Sequence, residues 1–237
     1  MTGLVITGTG TGVGKTMVTA AIAALAVGRA ARCTVVKPAQ TGVTDSEPGD
    51  LAEVARLAGA AVELVELVRY PAPLSPAAAA RHSRRPPLDL AHCLHALVEA
   101  QRASDLVLVE GAGGLLVRYD EDGLTLADIA RAMRWPVLVV AAAGLGTLNA
   151  TALTLEAVAA RGLELAGLVL GSWPAAPGLC ERSNIADLEA ISGRLLSGAL
   201  AEGACGSNDF GALAAAGTGP TLGGQFDASA FRRSAAL

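Results

Sequence analysis

GTGTGVGKT, residues 8–16, lies directly behind the apolar run Leu4-Val5-Ile6 and directly ahead of an alanine-rich stretch. A strand that empties into glycines, then Gly-Lys-Thr, then a helix, is the local order of a phosphate-binding P-loop. Its glycines let backbone N–H groups curl round the phosphates, its lysine reaches the β and γ oxygens, and its hydroxyl holds Mg²⁺. Counting back from Gly14-Lys15-Thr16, the general pattern puts its first glycine at position 9, where this chain has Thr9. Gly8 stands one residue further out, so the loop is one residue longer than the general form. Lys15 would neutralise phosphate charge, Thr16 would ligate Mg²⁺, and the helix beginning there adds its N-terminal dipole.

The rest of the chain suits that reading. With 237 residues it can form one large α/β domain and bury a sizeable core. Hydrophobic residues make up 52% and aromatics only 3%, so the core must be built from Ala, Val, Leu and Ile, as in a parallel sheet wrapped by helices. The net charge of -4 and pI near 5.4 come from interspersed charges, which points away from nucleic acid and from an anionic membrane. No basic n-region with an apolar h-region opens the chain and no stretch is long enough to span a bilayer, so the expected location is the cytoplasm. Cys33, Cys93, Cys180 and Cys205 are scattered, without CxxC or zinc spacing, and read as reduced thiols.

Strands are expected over residues 4–7, 34–37, 106–110, 137–141 and 165–170. Helices are expected over 15–27, 51–57, 88–101, 126–133, 147–160 and 185–196. This alternation predicts a single-domain α/β fold of the P-loop NTPase-like kind, with a mostly parallel central sheet flanked by helices on both faces. Ligands in such sheets bind beyond the carboxyl ends of the strands. There the sequence reads GTGTGVGKT, KPAQTG (37–42), EGAGG (110–114), GLGTLN (144–149) and GSWP (171–174). Residues 71–87 hold five prolines and predict an extended surface loop with a short helix over 76–81. The Gly- and Ala-rich segment 203–237 has weak periodicity and is expected to be partly irregular.

Several residues carry two readings. Glu110 ends the strand Leu106-Val107-Leu108-Val109, either as a charge leaving the sheet or as a metal-side carboxylate before a glycine run that lets backbone approach a phosphate. Asp50 opens DLAE, whose spacing favours a capping box with Glu53, yet a cap carboxylate has lone pairs left for a metal-bound water. Lys37 is a surface lysine or a second cation beside the phosphate loop. Thr147 caps a helix, or the N–H groups at that helix start receive a carboxylate. Trp173 stacks on a base or covers the core. His82, His92 and His95 lack a third ligand nearby and read as a solvated face.

Together VITGTGTGVGKT, VVKPAQTG, GDLAEVARLAG, YPAPLSPAAAA, LVLVEGAGGLLV, GLGTLNATALTLEA and GLVLGSWP resemble the dethiobiotin synthetases, and the longer phosphate loop is typical of that family. The resemblance runs from near residue 4 to near residue 174. It implies ATP-dependent carboxylation and ring closure of 7,8-diaminononanoate with CO₂ to dethiobiotin, ADP and phosphate, by way of a carbamate and a carbamic-phosphoric mixed anhydride. It implies that Gly12, Val13, Gly14, Lys15, Thr16 and Met17 wrap the triphosphate, with Thr16, Asp50 and Glu110 around Mg²⁺. Lys37 matches the family's catalytic lysine, Lys15 assists, Thr11 and Thr41 match substrate positions, and Glu110, Gly111, Ala112 and Gly113 add a phosphate contact. Gly171 and Ser172 would touch the nucleoside, with Ala201, Glu202 and Gly203 closing over the base. The family is homodimeric, and Gly144, Leu145, Gly146, Thr147 and Asn149 resemble the part that receives the substrate's carboxylate across the dimer interface.

The chain departs from the family in places. Gly12 replaces an acidic residue of some members, and GSWP lacks the asparagine that many relatives place there for adenine. Nucleoside triphosphates other than ATP are therefore expected to be accepted. Three rivals fall away on the same residues. A partitioning-type ATPase would carry a lysine five residues before Lys15, where this chain has Gly10. A cobyrinate-type amidotransferase would need a glutaminase domain, and a non-catalytic nucleotide-binding module would not need both Lys15 and Lys37 beside two carboxylates.

Overall fold

The computed structural model describes residues 2–235; Met1 and the last two residues of the expected tail segment, 236–237, lie outside the described residues. The apolar run at the start forms β1 (Gly3–Gly8), buried at every position. Along it the pleat sends Leu4 and Ile6 to one face and Val5 to the other, and these residues belong to two separate cores, one on each side of the sheet. The remaining strands are β2 (Cys33–Thr41), β3 (Val62–Tyr70), β4 (Leu106–Gly114), β5 (Val137–Ala141), β6 (Leu165–Trp173) and β7 (Gly198–Ala201). They pair in parallel throughout, in the order β3-β2-β4-β1-β5-β6-β7. β1 is flanked by β4 and β5, so the chain winds away in both directions from it, and the loop that follows β1 opens at a topological switch point.

Nine helices cover the sheet among the described residues: α1 (Lys15–Gly28), α2 (Asp50–Ala58), α3 (Pro76–Ser83), α4 (Leu90–Ala103), α5 (Leu126–Met133), α6 (Thr147–Ala160), α7 (Leu179–Ser192), α8 (Phe210–Gly217) and α9 (Ala228–Ser234). α1 buries Ala20, Ala21 and Ala23 completely, and alanines at those positions let the helix lie close on the sheet. It packs beside α2 and α8, whose Val54 and Phe210 join Leu4 and Ile6 in one core. Leu97 of α4, Ile129 of α5 and Leu188 of α7 join Val5 in the other.

The five expected strands are present, and four of them run longer than expected, β1 by one residue at each end and the others through Thr41, Gly114 and Trp173. β2 passes through Pro38 because its ladder with β4 ends at Val36, so the missing N–H breaks nothing on that side. β3 was not anticipated: Glu63, Glu66 and Arg69 recur every third residue, which masks a strand. As an edge strand with one neighbour, it tolerates charges that a central strand would exclude. The short edge strand β7 was also missed. α7 begins six residues earlier than its apolar pattern suggested, because Glu181 accepts a hydrogen bond from the Gly178 N–H and fixes the helix start there.

The proline-rich loop holds the short helix expected of it as α3, with Pro76, Ala77, Ala79 and Ala80 buried. The tail is more regular than expected. α8 packs under β7 and α1, and α9 is fastened by Phe231, whose ring meets Trp173 edge-on at 5.0 Å and Phe226 at 5.1 Å. Arg232 adds a 3.0 Å ion pair to the buried Glu189 of α7. Trp173 thus covers core, the second of its two sequence readings.

The phosphate loop meets the end of β6 backbone to backbone. A Cβ on Gly171 would lie 2.0 Å from the Val13 carbonyl oxygen, and one on Gly14, whose φ is 95°, would lie 2.5 Å from the Gly171 carbonyl oxygen. Gly171→Ala is expected to destabilise the protein by about 1–3 kcal/mol through overpacking, seen as a fall of several degrees in Tm. Gly28→Ala, whose Cβ would meet nothing within 4 Å, should melt at or slightly above the parent's temperature, since alanine is the better helix former.

Candidate functional site

Beyond the carboxyl ends of β1, β2 and β4 lies a cavity of about 680 Å³. Thr11, Gly12, Gly14, Lys15, Thr16 and Met17 line one side of it, Lys37 and Thr41 another, and Asp50 and the Glu110-Gly111-Ala112-Gly113 turn complete it. The sequence-predicted residues from three strand ends therefore share one space. Val13 stands just outside, with its carbonyl against Gly171. Gly171, Ser172 and the Ala201-Glu202-Gly203 segment sit at the adjoining ends of β6 and β7, tied by a hydrogen bond from the Glu202 N–H to the Trp173 carbonyl. Gly144, Leu145, Gly146, Thr147 and Asn149 form the turn into α6 on the same sheet edge but do not line the cavity. Leu145 is 96% exposed.

The centre of the cavity is an ion cluster. Lys37 Nζ lies 2.8 Å from Glu110 Oε1 and 2.5 Å from Asp50 Oδ2. It also donates to the Gly111 carbonyl at 3.3 Å. Thr16 Oγ1 donates to the same Glu110 oxygen at 2.9 Å. Glu110 is fully buried and Lys37 nearly so. Burial alone would lower the Lys37 pKa, but the Glu110 and Asp50 carboxylates outweigh it and hold the ammonium above the ordinary lysine range. Lys15 goes the other way: burial, then repulsion from Lys37, lowers its pKa despite some help from Glu110 and Asp50. Lys15 Nζ donates to the carbonyl of Gly10, 2.9 Å away, within its own loop.

Asp50 does not form the capping box that its spacing favoured. α2 has Gly49 as its N-cap with no side-chain cap, Asp50 is the first helical residue, and Glu53 pairs with Arg56 instead. The carboxylate turns to Lys37 because a buried ammonium is a stronger partner than an exposed backbone N–H. Thr147 likewise does not cap α6: Gly146 does, and the Thr147 hydroxyl is buried against that of Thr151 at 3.5 Å. His92 and His95 are exposed on α4. Among the described residues no group of three or more His, Cys, Asp or Glu side chains is placed to hold a metal ion.

Two carboxylates and a hydroxyl can still serve Mg²⁺, which is held by one or two carboxylates together with phosphate oxygens and water rather than by an all-protein cage. Glu110 Oε2 supports the fit: it is a buried carboxylate oxygen without a hydrogen-bond partner, an arrangement that costs energy unless a cation satisfies it. The cavity also recruits residues that the motif reading passed over, among them Gln40, Pro73, Leu74 and Val117. Only the position of Gln40 inside KPAQTG could have marked it.

A family model described as "AAA domain" matches residues 2–202. A protein of Saccharopolyspora erythraea named ATP-dependent dethiobiotin synthetase is 61% identical, over 95% of this chain and 99% of its own length. Proteins of the same name from Parafrankia sp. and Streptomyces coelicolor are 56% and 53% identical, over 98% and 96% of this chain and the same shares of theirs. Among solved structures, the ParA family ATPase from Chlorobium tepidum has a TM-score of 0.54 at 13% identity, covering 93% of this chain and 88% of that one. The MinC:MinD cell division complex of Aquifex aeolicus gives 0.55 at 13%, covering 90% and 85%. At such identities the likeness is one of fold, a parallel P-loop ATPase sheet.

Replacing Lys37 with Met leaves the Glu110 carboxylate buried and uncompensated, and is expected to cost about 3–5 kcal/mol of stability. Denaturant unfolding should register the loss, and excess Mg²⁺ should recover part of it by binding the freed carboxylates. Unfolding at the wild-type midpoint would contradict this account of the cluster.

Proposed function

The chain belongs to the ATP-dependent dethiobiotin synthetase family, and we propose that it closes the ureido ring of dethiobiotin from 7,8-diaminononanoate, CO₂ and ATP. In this reading one amine of the substrate takes up CO₂ as a carbamate. A carbamate oxygen attacks the γ-phosphorus and releases ADP. The second amine then attacks the carbonyl carbon of the mixed anhydride and expels phosphate as the ring closes. Each step creates or moves negative charge on oxygen and none needs a protein nucleophile, so the protein's task is positioning and charge stabilisation.

The observation that carries the proposal is the meeting of Lys37, Glu110, Asp50 and Thr16 beside the phosphate loop, linked to one another by hydrogen bonds and ion pairs. Backbone N–H groups of Gly12 to Met17 and the N-terminus of α1 would hold the triphosphate. Lys15 would leave the Gly10 carbonyl for the β and γ oxygens, whose charge favours its protonated form. Lys37, which lines the same cavity as the phosphate loop and Pro73, Leu74 and Val117, would stabilise charge on the transferring phosphoryl group and on the carbamate. Thr16, Asp50 and Glu110 would hold Mg²⁺, which supplies positive charge to the triphosphate when bound.

Thr11 and Thr41 would bind the diamine, and Gly111, Ala112 and Gly113 would approach the γ-phosphate. Gly171, Ser172 and residues 201–203 would take the nucleoside. Gly144 to Asn149 lie outside the cavity of their own chain, which suits a homodimer in which they receive the substrate's carboxylate from the partner's site. The enzyme would work in the cytoplasm. No helix among the described residues is long and apolar enough to cross a membrane.

Incubation with 7,8-diaminononanoate, bicarbonate, ATP and Mg²⁺ should yield dethiobiotin by mass. Lys15→Ala and Lys37→Ala should each lower the yield by about a hundredfold or more, the scale of losing one charge-stabilising donor. No product from the intact protein, or full product from both variants, would end the proposal.

The nucleoside end of the site offers the backbone of Gly171 and the short hydroxyl of Ser172, with Trp173 committed to the core. Turnover with CTP and GTP is therefore expected to come within about an order of magnitude of that with ATP, since neither residues 171–173 nor residues 201–203 carry a side-chain amide to read the base. Strict preference for ATP would refute it.

A further inference from the structure

We infer that Gln40 is a positioning residue that caps α2 from another element and so fixes Asp50 where its carboxylate faces Lys37 and the metal position. The inference rests on the proposed metal site and adds to it a residue that lies inside KPAQTG without a role assigned there.

The first N–H groups of a helix have no partner inside it; an N-cap side chain takes that of the second or third helical residue, and the rest are left to water or to a group from elsewhere. In α2 the N-cap is Gly49, which has no side chain to offer. Gln40, ten residues earlier at the end of β2, takes over: its Oε1 accepts a hydrogen bond from the Asp50 N–H at 2.8 Å. Its Nε2 donates to the Thr41 carbonyl at 3.1 Å, which determines which way round the amide stands. The side chain is buried, with 5% exposure.

The fit leaves no room for the ordinary arrangement. A Cβ on Gly49 would lie 2.7 Å from Gln40 Oε1, 2.9 Å from its Cδ and 3.1 Å from Arg69 Nη2. Position 49 is extended, at φ -101° and ψ -168°, so glycine is present for space rather than for conformation. The amide of Gln40 fills the volume that an N-cap side chain would otherwise occupy.

The consequence reaches the ion cluster through a single residue. The backbone N–H held by Gln40 and the carboxylate held by Lys37 both belong to Asp50. The Asp50 side chain is 37% exposed, so packing alone does not immobilise it. Its root is fixed by β2 through Gln40 and its tip by β2 through Lys37. Without Gln40 the first turn of α2 frays, and the carboxylate loses its fixed origin while Glu110 and Thr16 keep theirs.

Because Gln40 also lines the cavity, direct contact with substrate is the competing role, and the test separates the two. In Gln40→Ala, amides in the first turn of α2 should exchange hydrogen about five-fold faster. The Mg²⁺ concentration that half-saturates binding of a non-hydrolysable ATP analogue, followed by calorimetry, should rise about five-fold, the factor that a typical cap loss converts to. Any loss in kcat at low Mg²⁺ should be relieved as Mg²⁺ is raised, which loss of a direct substrate contact would not show.

Gln40→Ala combined with Gly49→Ser places an ordinary N-cap hydroxyl in the vacated volume and should restore both readings. Unchanged exchange and unchanged Mg²⁺ dependence in Gln40→Ala would overturn the inference. So would a loss in kcat or in diamine KM that the added Gly49→Ser substitution does not recover. If wild-type protein binds the analogue equally well without Mg²⁺, the metal reading fails, and the exchange arm alone still decides whether Gln40 holds α2.

Discussion

The Lys37 ammonium, enclosed between Glu110 at 2.8 Å and Asp50 at 2.5 Å, fixes three elements of the chain against one another at one point. Lys37 comes from β2, Glu110 from the neighbouring central strand β4, and Asp50 from the first turn of α2. A charge this deeply buried is costly unless it is paired and hydrogen-bonded. Any arrangement that separated these elements would strand at least one ion in an apolar sheet. The cluster is therefore weak evidence for stability in itself but a strong constraint on which conformation is tolerated.

That constraint suits the proposed chemistry. Carboxylates that already share a lysine, Glu110 also accepting from the Thr16 hydroxyl, are held in place before any ligand arrives, so little reorganisation would remain if charge developed beside them. The opposite behaviour of the two lysines follows from the same layout. Lys37 sits between anions and is held charged, whereas Lys15, buried and repelled by Lys37, has its charged form weakened.

Much of this was legible in the residues. The run Leu4-Val5-Ile6 ahead of Gly8 announced a buried strand feeding a phosphate loop, and Leu106 to Val109 ahead of Glu110 announced a second, because period and punctuation are local properties. What escaped was set by neighbours distant in sequence. DLAE has the spacing of a capping box, but its aspartate is drawn away by a lysine thirteen residues earlier, an effect that no window around α2 contains. Glu63, Glu66 and Arg69 concealed β3 because only the sheet decides which strand lies at the edge. The tail has little periodicity, yet Phe226 and Phe231 find Trp173 and order it. Gln40 went unread because its role depends on a side chain that Gly49 does not have.

The contact between Gly14 and Gly171 ties the shape of the phosphate loop to a strand more than 150 residues further along the chain. Just beyond it in that strand, Trp173 rests on Phe231 of the last helix. The phosphate loop thus gains its supporting floor from a segment far from it in sequence. Its glycines confer the freedom to curl, but the curl itself is imposed from far away, a long-range closure of the kind that slows folding while making the finished loop rigid.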